Sequence, residues 1–131
     1  MNGSILIFLG RILLSILFIV AGYGKLTGGA EGLSGMLGGM GLPQPLALAY
    51  LTGLCELVGG LAVLVGFQVR IVGILLALFC LFTGYIAHMG PDQATALMKN
   101  IGLAGGFLVL AANGPGAFAM QRRTGRVSAT V

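Results

Sequence analysis

Six residues of this chain can grip an oxygen atom or hold a proton, and most of them stand where such groups are costly: Arg11, Lys25, Glu56, His88, Lys99 and Asn100. Glu56 lies near the middle of the apolar run 46–67. An ionisable group at that depth of a bilayer costs roughly 3 kcal/mol, so it must face other helices and be protonated, paired or hydrogen-bonded. Counted from the ends of their runs, Arg11 lies roughly 9 Å and Glu56 roughly 16 Å from one membrane face, a gap that an Arg side chain spans. Three readings follow: an Arg11–Glu56 ion pair that only fixes helix register, a carboxylate that relays a proton or polarises a ligand, and a protonated Glu56 bonded to backbone.

Lys25, His88, Lys99 and Asn100 come from three different apolar runs, at ends that share the opposite face. With Tyr23 and Tyr85 they would line a polar pocket above Glu56. Bases and hydroxyls bind oxygen atoms, and His moves protons near neutral pH. Such a pocket suits a small anion or a non-covalently held quinone head group. Glu56 and His88 would then be the proton-handling, catalytic residues. Arg11, Tyr23, Lys25, Tyr85, Lys99 and Asn100 would be the binding residues. The competing reading makes each Lys an interfacial anchor whose long stem lets it reach water. Cys55 and Cys80 stand at similar depth on neighbouring runs, which makes a disulfide or redox pair conceivable. Their alternative role is that of small buried hydrophobes. The sequence has no CxxC, no haem-attachment motif and no spacing of metal ligands, so no metal site is expected.

The elements that must position these residues follow from composition. Ten of 131 residues are charged and 57% are hydrophobic; mean hydropathy is +1.04. A soluble domain carries roughly a quarter charged residues. This excludes a soluble globular protein, a disordered tail and a nucleic-acid binder; seven scattered bases make no basic stripe despite a pI near 9.6. An integral membrane protein remains, with the lipid bilayer as its first partner. Four runs reach the ~20 residues that a spanning helix needs: 5–26, 46–67, 69–88 and 94–112. The stretch 46–87 would be roughly 63 Å long as one helix, twice the hydrocarbon thickness, so it must fold back. Gly66, Gln68 and Arg70 mark that turn. The expected fold is an all-α bundle of four transmembrane helices over residues 1–116, with a basic tail at 117–131. The first run is read as a span rather than a signal peptide, since no basic segment precedes it and no cleavage motif follows.

Between the first two runs, Leu33, Met36, Leu37 and Met40 repeat at helical spacing, which predicts a short interfacial helix before Gly41-Leu42-Pro43. Arg11, Arg70, Arg122, Arg123 and Arg126 fall on the side of the termini, against Lys25 and Lys99 on the other. Positive charge favours the cytoplasm, so both termini are expected there. Small residues at Gly59-Gly60 and in the GxxxG pair Gly102 and Gly106 predict close helix packing within the bundle or, less simply, between copies.

Leu9-Gly10-Arg11 and the segment Phe18-Ile19-Val20-Ala21-Gly22-Tyr23-Gly24-Lys25 resemble the first helix of the DoxX family. Gly41-Leu42-Pro43 and Leu54-Cys55-Glu56-Leu57-Val58-Gly59-Gly60 are similar to its second. His88, Lys99-Asn100-Ile101-Gly102-Leu103-Ala104-Gly105-Gly106 and Gly114-Pro115-Gly116 match the third and fourth. Order and spacing agree over roughly residues 9–116. The ending departs, since Ala117 to Met120 leads into a basic tail where relatives often carry a short ordered segment. The resemblance implies a four-helix inner-membrane protein of bacteria or archaea. Its name-giving relatives are small subunits of a thiosulfate:quinone oxidoreductase, and others are linked to redox homeostasis. Membership does not assign a reaction, so whether the chain is itself an enzyme stays open. The first expectation is a redox-associated subunit with a quinone or small-anion site, working beside a protein partner. The alternatives are a purely structural subunit of a larger complex and a small anion or weak-acid transporter, which would need a homo-oligomer to form a pathway.

Overall fold

A computed structural model describes residues 3–120 of the chain. Its elements are α1 (Gly3–Gly24), a π-helical turn (Lys25–Gly29), α2 (Ala30–Gly39), α3 (Pro45–Val65), α4 (Val69–Ala87) and α5 (Ala94–Asn113). Four of these segments are long and apolar enough to cross a membrane, and α1 runs through the π-turn into α2 as the first. The helices expose large apolar side chains on most of their circumference, such as Leu13, Val20, Leu78 and Val109. That is the signature of helices whose outer solvent is lipid. Helix is also the form that satisfies backbone groups within its own segment, all but those at its ends, which lipid cannot do.

The boundaries are chemical. Pro45 opens α3 at its first position, where its missing N–H is no loss. Gly66 closes α3 with φ +78°, and Gln68 also turns left-handed, so the chain reverses into α4 within three residues. Gly114 ends α5 with φ +88°. Arg122, Arg123 and Arg126, which the charge argument used, lie outside the described residues.

The bundle is built from two tight pairs, α1 against α3 and α4 against α5, which meet each other more thinly. Glycine makes the first pair close. A Cβ on Gly22 would sit 2.5 Å from the Leu57 amide nitrogen and 2.6 Å from the Gly53 carbonyl oxygen. Gly59 and Gly60 divide their work, Gly60 against Ile19 and Phe18 of α1 and Gly59 against Leu76 of α4. The expected GxxxG pair is split in the same way. Gly106 packs on Leu14, while Gly102 has nothing near it.

Where the two pairs meet, Phe18 crosses Phe107 edge to face at 5.2 Å and lies tilted by 60° against Phe79 at 6.1 Å. Val63, Val69, Leu76, Ala77 and Leu110 complete this core. Each buried aromatic edge contact adds roughly 0.5–1.5 kcal/mol to its burial. The core fills the half of the bundle that holds the chain ends. The other half is not filled. The chain kinks at Gly28, whose φ of 141° suits a residue without Cβ. Beyond the kink, the predicted short helix exists as α2. It packs on α3 and turns Leu33, Met36 and Leu37 toward the space between the pairs.

Candidate functional site

That space is a cavity of about 450 Å³, within the range typical of small-molecule sites. Phe18, Phe79, Phe82 and Leu103 form apolar wall, α2 covers one side, and His88 and Lys99 lie on its lining. At its deepest polar point Lys25 Nζ donates to Glu56 Oε2 at 2.8 Å, with side chains 23% and 11% exposed. Each charge cancels the desolvation problem of the other, which is how a membrane bundle retains ionisable groups. The pair is not saturated. Glu56 Oε1 accepts no hydrogen bond from the described residues, and Lys25 keeps two N–H groups uncommitted.

Lys25 reaches inward because of Gly53. Three residues before Glu56, Gly53 shares its face of α3. A Cβ there would stand 2.7 Å from the Lys25 Cβ, so the bare backbone is the groove in which the lysine stem lies. The π-turn that begins at Lys25 swings that stem off the path a regular α-helix would give it.

Asn100 of α5 faces the pair across the cavity. Its Nδ2 donates to the Cys80 carbonyl at 3.1 Å and to Thr83 Oγ1 at 3.2 Å. Thr83 spends its own hydrogen on the Phe79 carbonyl at 2.8 Å. His88 follows the last turn of α4, with Nδ1 3.1 Å from Gln93 Oε1. Thr52, on the cavity wall, donates to the Leu48 carbonyl one turn back.

The arrangement corrects the expected Arg11–Glu56 pair. Arg11 is 1% exposed at the other end of the bundle and pairs with no carboxylate among the described residues. Its Nη1 donates to the Pro115 carbonyl at 3.0 Å. Its Nη2 donates to the carbonyls of Leu64 at 3.2 Å and Phe118 at 2.6 Å. The guanidinium lies over the Phe8 ring, 5.3 Å from its centroid. Helix register is the cause. Arg11 meets α3 at the Leu64 carbonyl, in its last turn, eight residues or about 12 Å along the helix from Glu56. Depths measured from run ends missed this because α1 and α3 are offset. Arg11 thus closes the C-terminal end of α3 and holds the segment after α5, whose Met120 amide donates to the Val65 carbonyl at 2.7 Å. Arg70 does the same for α5, with Nη1 donating to the carbonyls of Ala111 at 3.2 Å and Ala112 at 2.8 Å.

Tyr23 and Tyr85 also stand outside the cavity. They are 62% and 70% exposed on α1 and α4, and Tyr85 instead borders a second, apolar notch with Met40 and Met89. Cys55 and Cys80 do not pair. Cys80 is buried on the cavity wall and Cys55 is exposed. Cys55 directly precedes Glu56, so it points about 100° away around α3, and equal depth is not an equal face. No group of three His, Cys, Asp or Glu side chains gathers among the described residues.

Lys25, Glu56, His88, Lys99 and Asn100 therefore line one cavity, and Arg11 does not. Sequence reasoning missed Gly53, Thr83 and the cavity-facing side of α2. Gly53 three before Glu56 was a usable signal. Thr83 was not, because a lone Thr in a spanning helix usually bonds its own backbone.

Comparison with known proteins agrees with these features. The DoxX family profile matches residues 6–89. The chain is 40% identical to the inner membrane protein YqjF of Escherichia coli (strain K12) over 122 residues, covering 88% of this chain and 89% of that protein. It is 30% identical to the inner membrane protein YphA of the same organism over 128 residues, 91% and 90% of the two chains. Over 68 residues it is 41% identical to a Bacillus subtilis (strain 168) protein named "Putative oxidoreductase CatD", covering 52% of this chain and 48% of that protein. No solved structure matches the chain. A four-helix membrane bundle, the family motifs on α1 and α3, and a profile match across most of the chain lead to one conclusion: the chain belongs to the DoxX family.

Proposed function

We propose that this protein is a redox-associated subunit of a bacterial inner membrane, and that its cavity binds a quinone-type head group beside the Lys25–Glu56 pair. The observation that carries this reading is an ion pair at membrane depth whose free atoms open on a cavity walled by Phe18 and Phe79. A purely structural pair would be sealed by packing, as Arg11 is. The cation is spent on Glu56, so the deep site is neutral, which favours an uncharged ligand with oxygen atoms over an anion. Lys25 and Asn100 hold the head group, Glu56 and His88 exchange its protons, and Lys99 stands at the opening. Electrons come from a protein partner. The word oxidoreductase in the name of the Bacillus relative supports redox chemistry. The names of the Escherichia relatives support the inner membrane as the site. The five-to-two division of bases supports cytoplasmic termini, which puts the cavity in the outer half of the bilayer.

Purification from native membranes in mild detergent, followed by mass spectrometry of bound lipids and proteins, tests the reading. A quinone is expected with the wild-type protein and not with Glu56→Gln or Lys25→Met. If Glu56→Gln and His88→Ala kept both the bound quinone and partner-dependent electron transfer, the reading would fail. Reporter fusions at the C-terminus test the orientation.

A further inference from the structure

The cavity also discriminates between oxidation states of its ligand. Resting on the reading that it takes a quinone-type head group, we propose that it selects the reduced, hydroxyl-bearing quinol over the quinone. The selection comes from which polar atoms the protein has already used. Both hydrogens of Asn100 Nδ2 are committed, to the Cys80 carbonyl and to Thr83 Oγ1. The Cys80 carbonyl can only accept, which fixes the amide orientation, and Thr83 has given its own hydrogen to Phe79. Asn100 therefore offers the cavity an acceptor, Oδ1, and no donor.

Glu56 repeats the pattern. Its Oε2 is taken by Lys25, and Oε1 is an acceptor without a partner among the described residues. Thr52 has likewise spent its hydrogen on the Leu48 carbonyl, leaving oxygen lone pairs. In the tautomer whose Nδ1–H donates to Gln93 Oε1, His88 has Nε2 as one more acceptor. The donors on the lining are the two remaining N–H groups of Lys25 beside Glu56 and the ammonium of Lys99 at the opening, away from the Asn100 and Glu56 acceptors. A quinone oxygen can only accept. It would satisfy Lys25 and leave Asn100 Oδ1 and Glu56 Oε1 facing carbon in a setting of low dielectric. A quinol hydroxyl both donates and accepts, so one ring satisfies Lys25 at one oxygen and an acceptor at the other. Sites that provide partners for a hydroxyl reject analogues without one, because their own polar groups are left unpaired.

Equilibrium binding to the full chain in lipid nanodiscs under anaerobic conditions tests this with three probes: a short-chain benzoquinol, its benzoquinone and its dimethyl ether. The ether keeps ring and oxygens and replaces the donated hydrogens with methyl groups. The quinol is expected to bind about tenfold more tightly than either. In Asn100→Leu the quinol should lose about fivefold and the gap should narrow. Should that variant not fold, the comparison of quinol with quinone on the wild-type protein decides alone. Equal affinity for quinol and quinone would overturn the selection and leave the head-group site standing. Absence of binding by all three probes would overturn both.

Discussion

Arg11 and Lys25 are both basic residues of the first membrane segment, fourteen positions apart, and the bundle treats them in opposite ways. Arg11 is surrounded by backbone: the end of α3, the turn after α5 and the ring of Phe8. Carbonyls at helix C-termini lack intrahelical donors, and a guanidinium forks to several of them at once. Lys25 meets one carboxylate at the edge of a cavity and keeps donors in reserve. One charge closes the fold and the other is left partly open. Arg11 keeps one donor, Nε, unpartnered among the described residues, but protein encloses it, whereas the unspent atoms of the Lys25–Glu56 pair open on a cavity. A buried charge in a membrane protein is thus a functional candidate when a ligand can reach its unspent atoms.

The sharpest way to break this contrast is to remove Arg11. Arg11→Met strips the carbonyls of Leu64, Pro115 and Phe118 of their donor and is expected to cost roughly 3–5 kcal/mol. Thermal unfolding in detergent would read it as a large drop in midpoint. Arg11 and Glu56 should behave additively in a double-mutant cycle, and a coupling of ~1 kcal/mol or more between them would contradict the register described above.

Lys25→Met comes next. It leaves a carboxylate buried without its partner and should cost roughly 2–4 kcal/mol. The double variant with Glu56→Gln should recover most of that loss, and the recovery measures the coupling. If the double variant were as unstable as the sum of the two single ones, the ion pair would not form in the membrane.

Gly53→Ala sharpens the comparison without touching a charge. A methyl group in the lysine groove should cost about 1–3 kcal/mol through strain. It should also weaken quinone binding, since Lys25 would be displaced from Glu56. Binding at wild-type strength in a folded Gly53→Ala protein would show that the groove does not set the lysine's position. The smallest effect is expected for Tyr23→Phe and Tyr85→Phe, which lie outside the cavity: within about ±0.5 kcal/mol in stability and no change in ligand binding. A loss of binding in either would return the tyrosines to the site.

Much of the fold was legible because it depends on local quantities. The spans read as 46–67, 69–88 and 94–112 appear as Pro45–Val65, Val69–Ala87 and Ala94–Asn113. The first, read as 5–26, continues beyond Gly24 into the π-turn and α2. Hydrophobicity per unit length decides whether a segment enters lipid, and Gly, Pro and polar clusters decide where it stops. The list of residues worth attention was legible for the same reason: a charge inside an apolar run is conspicuous whatever surrounds it.

Partnership was not legible. Glu56 had Arg11 and Lys25 as possible cations, and spacing along separate helices could not choose between them. The choice depended on the offset of α1 against α3, which is set by glycine contacts at Gly22, Gly53 and Gly60. It depended also on the direction each side chain takes around its helix, which separates Cys55 from Cys80 and turns Tyr23 and Tyr85 outward. Run length and hydrophobicity are enough to give four membrane-spanning helices that carry a few costly polar groups. Which of those groups meet follows from how the helices pack. Burial in lipid is a property of a segment, whereas contact requires two segments to share register and face.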